Sequence, residues 1–115
     1  MTTTGPSKEL QTLKAEFFRA MAHPARIRIL EVLSEKGEQS VQELQLRLAV
    51  DQPIVSQHLA KLRAHGVVGS HKVGTTVIYA LADPRIADLL KVAKEILNRR
   101  LTGTRTLLHE LRKHG

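Results

Sequence analysis

The chain has 115 residues, with 18 Lys and Arg against 11 Asp and Glu, and it contains no cysteine. This length allows one domain, residues 1–115, and the absence of cysteine excludes disulfides, thiolate metal sites and thiol nucleophiles. Aromatic residues make up only 3%, which argues against a single-strand nucleic-acid binder built on stacked rings. No apolar run reaches the roughly 20 residues of a membrane span and no signal peptide is recognisable, so we expect a cytoplasmic protein without a membrane partner.

The basic charge is unevenly distributed. Residues 1–51 carry seven basic and seven acidic side chains, and residues 91–115 carry seven basic and two acidic ones. Residues 52–82 carry no acidic side chain, and their basic ones are Lys61, Arg63 and Lys72. A surface that faces a polyanion needs such a stretch, because each carboxylate would repel phosphate. The alternative is a chance gap between two aspartates.

The first two helices are predicted from apolar spacing and from proline and glycine. We expect residues 1–6 to form a flexible tail and Ser7 to cap a helix over about residues 7–22. Its apolar stripe is Leu10, Leu13, Phe17 and Met21, which suits packing against the domain's own core or against a partner chain. Pro24 suits the first turn of a second helix, which Gly37 ends.

Two short helices joined by a short turn are predicted next. Ser40 and Glu43 have the spacing of a capping box and start a helix that ends near Ala49. Pro53 lies in the first turn of the following helix, which Gly66 closes. The buried stripe of this helix is predicted to be Val55, Leu59 and Leu62.

From Val67 the hydrophobic period changes to two, which predicts a two-stranded hairpin over residues 67–81 with Gly74 in its turn. Asp83 followed by proline starts a last helix over about residues 84–112. Its apolar residues continue at spacings compatible with a heptad seam, although Gly103 can bend or break the helix. The rest of so small a domain cannot easily cover this seam, and a second copy of the chain could.

Helix, short turn, helix and hairpin is the order of a winged helix-turn-helix, in a mainly α fold of about five helices plus a two-stranded wing. The major groove of DNA admits one helix, whose N-terminal residues reach base edges. The amide of glutamine forms a bidentate contact with adenine, and the cation of lysine or arginine binds phosphate or guanine. The predicted DNA-contact residues are Gln52, Ser56, Gln57, His58, Lys61, Arg63, Lys72 and Thr75. Two helices alone would equally suit a bundle, whereas the hairpin and the missing acids favour double-stranded DNA.

Residues 17–30, FFRAMAHPARIRIL, resemble the second-helix signature of the ArsR/SmtB family of winged-helix repressors. Residues 52–68, QPIVSQHLAKLRAHGVV, resemble its recognition helix, and Gly74 followed by VIYAL resembles its wing. The resemblance covers residues 10–100. It implies a homodimer on a pseudo-palindromic operator, usually a repressor released by an inducer. The interface implied on the first and last helices contains Leu10, Leu13, Phe17, Leu90, Leu97, Leu101 and Leu108.

The sequence departs from the metal sites of the family that it resembles. Metal-sensing members carry two cysteines where this chain has Ser40 and Gln42. A second family site uses an Asp-x-His pair with a later His and Glu. This chain keeps the aspartate, and the other three positions hold Arg85, Ile96 and Arg99. The first site therefore lacks its thiolates. The second is lost because arginine and isoleucine do not ligate divalent metals.

Six histidines remain as candidate ligands. We interpret His23 as structural and assign His58 to DNA contact or packing. The metal hypothesis is that His109 and Glu110, with His114 or a residue of a partner chain, bind nickel, cobalt or zinc as an effector. The two C-terminal histidines are five residues apart, a poor match to the spacing that puts two ligands on one helical face. The alternative is a solvated, frayed helix end.

The sequence also bears on two other function classes. A winged-helix module that binds a separate sensor protein would read DNA weakly, which the acid-free stretch argues against; DNA binding at physiological salt separates the two. An enzyme is disfavoured because Ser56 and His58, two residues apart on a helix, point to different sides. The glycines also form no phosphate-binding loop.

Overall fold

A computed structural model describes residues 6–114, with the side chains of residues 8–112. The described elements are α1 (Pro6–Met21), α2 (Pro24–Lys36), β1 (Gln39–Ser40), α3 (Val41–Leu48), α4 (Gln52–Ala64), β2 (Val68–Val73), β3 (Thr76–Leu81) and α5 (Arg85–His114). The mainly helical fold with a wing is confirmed. The predicted cap at Ser7 is wrong, because α1 already includes Pro6, whose fixed φ suits a first turn, and Ser7 lies inside the helix. The rest of the predicted tail lies outside the described residues.

Local capping defines the helices that support the site. His23 is the N-cap of α2, and its Nδ1 accepts a hydrogen bond from the Ala25 amide at 3.0 Å. Gly37 ends α2 with a φ of 80°, a conformation that glycine adopts without steric cost. The predicted capping box of α3 is confirmed: Ser40 Oγ accepts from the Glu43 amide at 3.1 Å, and Glu43 Oε1 accepts from the Ser40 amide at 2.9 Å.

The sheet has a third strand that was not predicted. Strands β2 and β3 form the expected hairpin, with Val73 opposite Thr76 and the turn at Gly74, although β2 begins one residue later than predicted. Strand β1 pairs with β3, so the order is β1-β3-β2, with Ser40 opposite Ile78. A two-residue strand contains no alternation for a sequence pattern to detect. It attaches the start of α3 to the wing.

The core lies where α2, α3 and α4 meet the base of the wing. Side chains less than 2% exposed are Ile29, Leu30, Leu44, Val55, Leu59, Leu62 and Val67. Three of these, Val55, Leu59 and Leu62, are the predicted stripe of α4, which is confirmed. Truncating a buried leucine to alanine costs about 2–5 kcal/mol, so this stripe fixes the orientation of α4 firmly.

Helix α5 runs unbroken through Gly103 for 30 residues, a length of about 45 Å. Asp83 Oδ1 accepts a hydrogen bond from the Arg85 amide at 2.9 Å, as a residue that caps the first turn does. Ile86 is buried and Leu90 is partly buried against the core. Within residues 6–114, no helix combines the length and apolar character needed to cross a membrane.

Candidate nucleic-acid interface

Helix α4 is anchored on one side and open on the other. The turn before it passes through Ala49, whose φ of 54° is left-handed, and the Asp51 carbonyl accepts from the amide of Val55 at 3.1 Å. Because successive helical residues are rotated by about 100°, burial of the Val55–Leu59–Leu62 stripe turns Gln57, Ala60 and Ala64 outward. All three are exposed. The small alanines allow close approach to a flat or grooved partner.

The structure brings the start of α4 next to the wing. A groove of about 340 Å³ is lined by Val41, Gln42, Gln52, Thr75, Thr76 and Val77. It places two predicted DNA-contact residues, Gln52 and Thr75, on one surface. Gln42 and Thr76 line the same groove and were missed, because their proximity depends on the pairing of β1 with β3. We call this side of α4 the wing flank.

Other members of the predicted DNA-contact set are also exposed. Ser56 and Arg63 lie four and eleven residues after Gln52, so they share the wing flank. Lys61 is exposed on the opposite flank, and Lys72 is exposed on β2, where it pairs with Val77. Arginine and lysine at these positions can contact phosphates on either side of the helix.

His58 is packed rather than presented outward. Its Nδ1 accepts a hydrogen bond from Arg26 Nε at 3.2 Å, and its ring centroid lies 4.6 Å from that of His23. Arg26 Nη1 also donates to the Ala20 carbonyl at 3.0 Å. Burial, followed by electrostatic interaction with His23 and then with the Arg26 cation, lowers the pKa of His58 below its ordinary 6.5. Of the two expected roles of His58, packing is the one that its hydrogen bond serves.

The His58 contacts tie α4 to the junction of α1 and α2. The contribution of Arg26 could not be predicted from residue spacing, since Arg26 lies 32 residues from His58 in the chain. The wing also meets a carboxylate from outside its own segment. Glu38 Oε2 lies 3.7 Å from His71 Nε2, with both side chains about half exposed. The absence of acids within residues 52–82 therefore does not make the whole wing surface acid-free.

Comparisons with known proteins agree with this geometry. A model described as bacterial regulatory protein, arsR family, matches residues 23–70. Rv0081 of Mycobacterium tuberculosis, an HTH-type transcriptional regulator named as uncharacterized, is 43% identical over 109 residues, which span 95% of this chain and 96% of Rv0081. The chain belongs to the ArsR/SmtB family of transcriptional regulators. It carries the family's winged helix-turn-helix DNA-binding fold, and its relatives are regulators rather than enzymes.

Solved structures and a further curated relative agree with this family assignment. The crystal structure of Rv0081 superimposes with a TM-score of 0.75 at 46% identity and covers 83% of this chain and 95% of that one. The transcriptional repressor SmtB of M. tuberculosis is 42% identical over 85 residues, 74% of this chain and 62% of SmtB. The NMR structure of a fragment of Mb0332 from Mycobacterium bovis superimposes with a TM-score of 0.79 at 23% identity. The match covers 88% of this chain and 91% of that one.

Asp83, the one residue that this chain keeps from the family's second metal site, is paired with the side chain of Arg85. Arg85 Nη2 donates to Asp83 Oδ2 at 2.7 Å, and Arg85 Nε donates to Asp83 Oδ1 at 3.1 Å. These hydrogen bonds from the Arg85 side chain, followed by one from its amide, lower the pKa of Asp83 to about 2. The guanidinium thus provides the carboxylate with a fixed positive partner.

The predicted C-terminal metal site is described only in part. The residues in the described part contain no group of three or more His, Asp or Glu side chains placed to hold a metal. His109 is exposed on α5, whereas the side chain of His114 lies outside the described residues. Consecutive residues such as His109 and Glu110 are rotated by about 100° on a helix. The site therefore stays a prediction.

The predicted interface residues lie along α1 and α5. Leu10, Leu13, Leu97, Leu101 and Leu108 are 48–61% exposed, and Phe17 and Leu90 are partly buried against the core. Further exposed apolar side chains lie on the same two helices: Phe18, Leu89, Val92, Ile96, Leu107 and Leu111. Exposed apolar side chains in this number are typical of an association site, and the interface stays a prediction.

Proposed function

We propose that the chain is a homodimeric, sequence-specific regulator of double-stranded DNA that represses transcription at a pseudo-palindromic operator until an inducer releases it. The exposed outer face of α4 carries this proposal. That face has no carboxylate, is held by three buried side chains, and stands next to the wing. A helix about 10–12 Å across fits the major groove, which is about 12 Å wide.

The side chains divide into those that read bases and those that bind phosphates. Gln57 and Ser56, near the start of α4, are the base-reading residues, and Gln57 suits a bidentate contact with adenine. Lys61, Arg63 and Lys72 bind backbone phosphates. Gln52 and Thr75 add neutral donors on the wing flank. His58 acts indirectly, because its hydrogen bond with Arg26 fixes the flank of α4.

A second copy of the chain covers the apolar surface of α1 and α5. Helix α5 extends well beyond the core and leaves apolar side chains exposed as far as Leu111. The NMR structure of Mb0332 is described as homodimeric. A dimer presents two copies of α4, which would read half-sites about 34–36 Å apart on one face of the DNA.

Repression and release make up the regulatory part of the proposal. SmtB of M. tuberculosis is named a transcriptional repressor, which favours the same direction of control here. Nickel, cobalt or zinc bound through His109 and Glu110, with His114 or a partner residue, is the effector that the histidines predict. A metal bound near the end of α5 would act on the proposed dimer interface.

The deciding experiment measures affinity for specific and random DNA. The full chain is titrated against a fluorescent duplex from the region upstream of its own coding sequence and against a scrambled duplex of equal length, at about 150 mM salt. We expect the upstream duplex to bind at least about 10³-fold more tightly, as specific DNA-binding proteins do. Equal affinities would exclude sequence-specific regulation at that site.

A further inference from the structure

The flank of α4 opposite the wing carries a second, basic groove. It has a volume of about 370 Å³ and is lined by two alanines and by Glu16, Arg19, Arg26, Lys61 and His65. We call it the basic groove. Three of its side chains are permanently charged cations, against one carboxylate, so its formal charge is positive even with a neutral imidazole.

The local sequence explains why these cations converge. Arg19 lies in the last turn of α1 and Arg26 in the first turn of α2, so the break between the two helices brings them together. Lys61 and His65 are four residues apart at the end of α4 and therefore face the same side. The groove thus lies where α1, α2 and the end of α4 meet, on the flank of α4 opposite the wing.

Arg26 is held in place before any ligand binds. Its Nε donates to His58 at 3.2 Å and its Nη1 donates to the Ala20 carbonyl at 3.0 Å. A guanidinium has five N–H groups, so three remain for a ligand. Among the described side chains, no carboxylate forms an ion pair with Arg19, Arg26 or Lys61 within 4.0 Å. A fixed guanidinium beside two further cations is suited to the oxygens of a phosphate.

We propose that the basic groove binds a phosphate of the DNA backbone, on the side of the major groove opposite the wing. This inference rests on the proposed docking of α4 in the major groove. A helix in that groove lies between two phosphate backbones. Gln52 and Thr75 line the groove on the wing flank, and Arg19, Arg26 and Lys61 line the groove on the other flank. The two grooves therefore place phosphate-binding side chains on both flanks of α4.

Arg19→Ala tests the proposal, because the Arg19 side chain is exposed and forms none of the side-chain hydrogen bonds or ion pairs found among the described residues. Each phosphate contact contributes about 0.9 to the slope of log K against log salt, so its loss shrinks the ratio of affinities at 50 and 200 mM salt by about 3.5-fold per groove. Arg28→Ala, an exposed arginine two residues from Arg26 and outside the groove, is the matched control. Glu16→Gln removes the repelling carboxylate and should tighten binding.

The slope is measured on random duplex as well as on upstream DNA, since phosphate contacts are independent of sequence. Failure to distinguish the two duplexes would count against the proposed function, whereas an unchanged Arg19→Ala slope on both would overturn the basic groove alone. Sedimentation checks that each variant keeps the wild-type oligomeric state. Inorganic pyrophosphate is titrated in parallel: if Arg19→Ala abolishes its binding without altering the DNA slope, the groove takes a free anion and the DNA assignment is overturned.

Discussion

Replacing Gln57 by alanine separates base reading from phosphate binding. Gln57 is exposed and lies opposite the buried stripe of α4, and alanine is a good helix former, so the change should leave folding stability almost unaltered. It removes the amide that would pair with adenine, a contact that contributes about 1–3 kcal/mol of discrimination. This corresponds to a loss of about 5- to 160-fold in the preference for the operator over a duplex mutated at that base.

The assay is competition anisotropy with the operator and a set of single-base variants at fixed salt. Gln57→Ala should flatten the preference at one position in each half-site and leave affinity for random duplex unchanged. Lys61→Ala is the control: it should weaken all duplexes evenly and lower the salt slope by about 0.9 per lost contact. If Gln57→Ala changes neither the preference nor the affinity, the assignment of α4 as the reading helix is wrong.

The remaining predictions address the core, the dimer, the pH response and the metal. Leu59→Ala should lower the free energy of unfolding by about 2–5 kcal/mol in urea titrations, and a loss below 1 kcal/mol would contradict its role in the core. Leu97→Asp should give monomers in sedimentation and weaken operator binding; an intact dimer would refute the interface. Because burial lowers the pKa of His58, the unfolded chain binds this proton first, so stability should fall as the pH drops below 6.5; a His58→Gln variant with the same pH slope would exclude this cause. In equilibrium dialysis, the wild-type chain should bind nickel, cobalt or zinc, and the His109→Ala variant should bind none. Absence of bound metal from the wild-type chain at micromolar metal concentrations would exclude the metal hypothesis.

Local signals predicted most of the elements. The capping box at Ser40, the prolines at the starts of α2 and α4, and the glycine at the hairpin turn act within a few residues, and the structure has each of them. The α4 stripe was equally accessible, because helical periodicity alone decides which three side chains point to the core. Predictions failed where the segment was too short to form a pattern, as in β1, or where proline competed with serine for the start of the helix, as in α1.

Contacts between distant segments were not predictable. The position of His58 at the edge of the exposed face of α4 predicts a DNA contact. Its partner Arg26 comes from another helix, and only the packing of α2 on α4 brings the two together. The same holds for the basic groove, whose lysine and arginines are separated by some forty residues in the chain. One sequence shows which side chains are exposed on an element, but not which exposed surfaces of different elements meet.

The most direct test of the claim that α4 lies in the major groove labels a single introduced cysteine, which is specific because the chain has no cysteine of its own. The variant Gln57→Cys has a single thiol, which is labelled with an iron chelate that cleaves nearby DNA. Glu35→Cys, in the groove between α2 and α5, is the matched control. We predict strong cleavage at two sites, one in each operator half and about one helical turn or a multiple apart, and none from the control label. Cleavage that is uniform along the duplex, or equal for the two labels, would contradict the account.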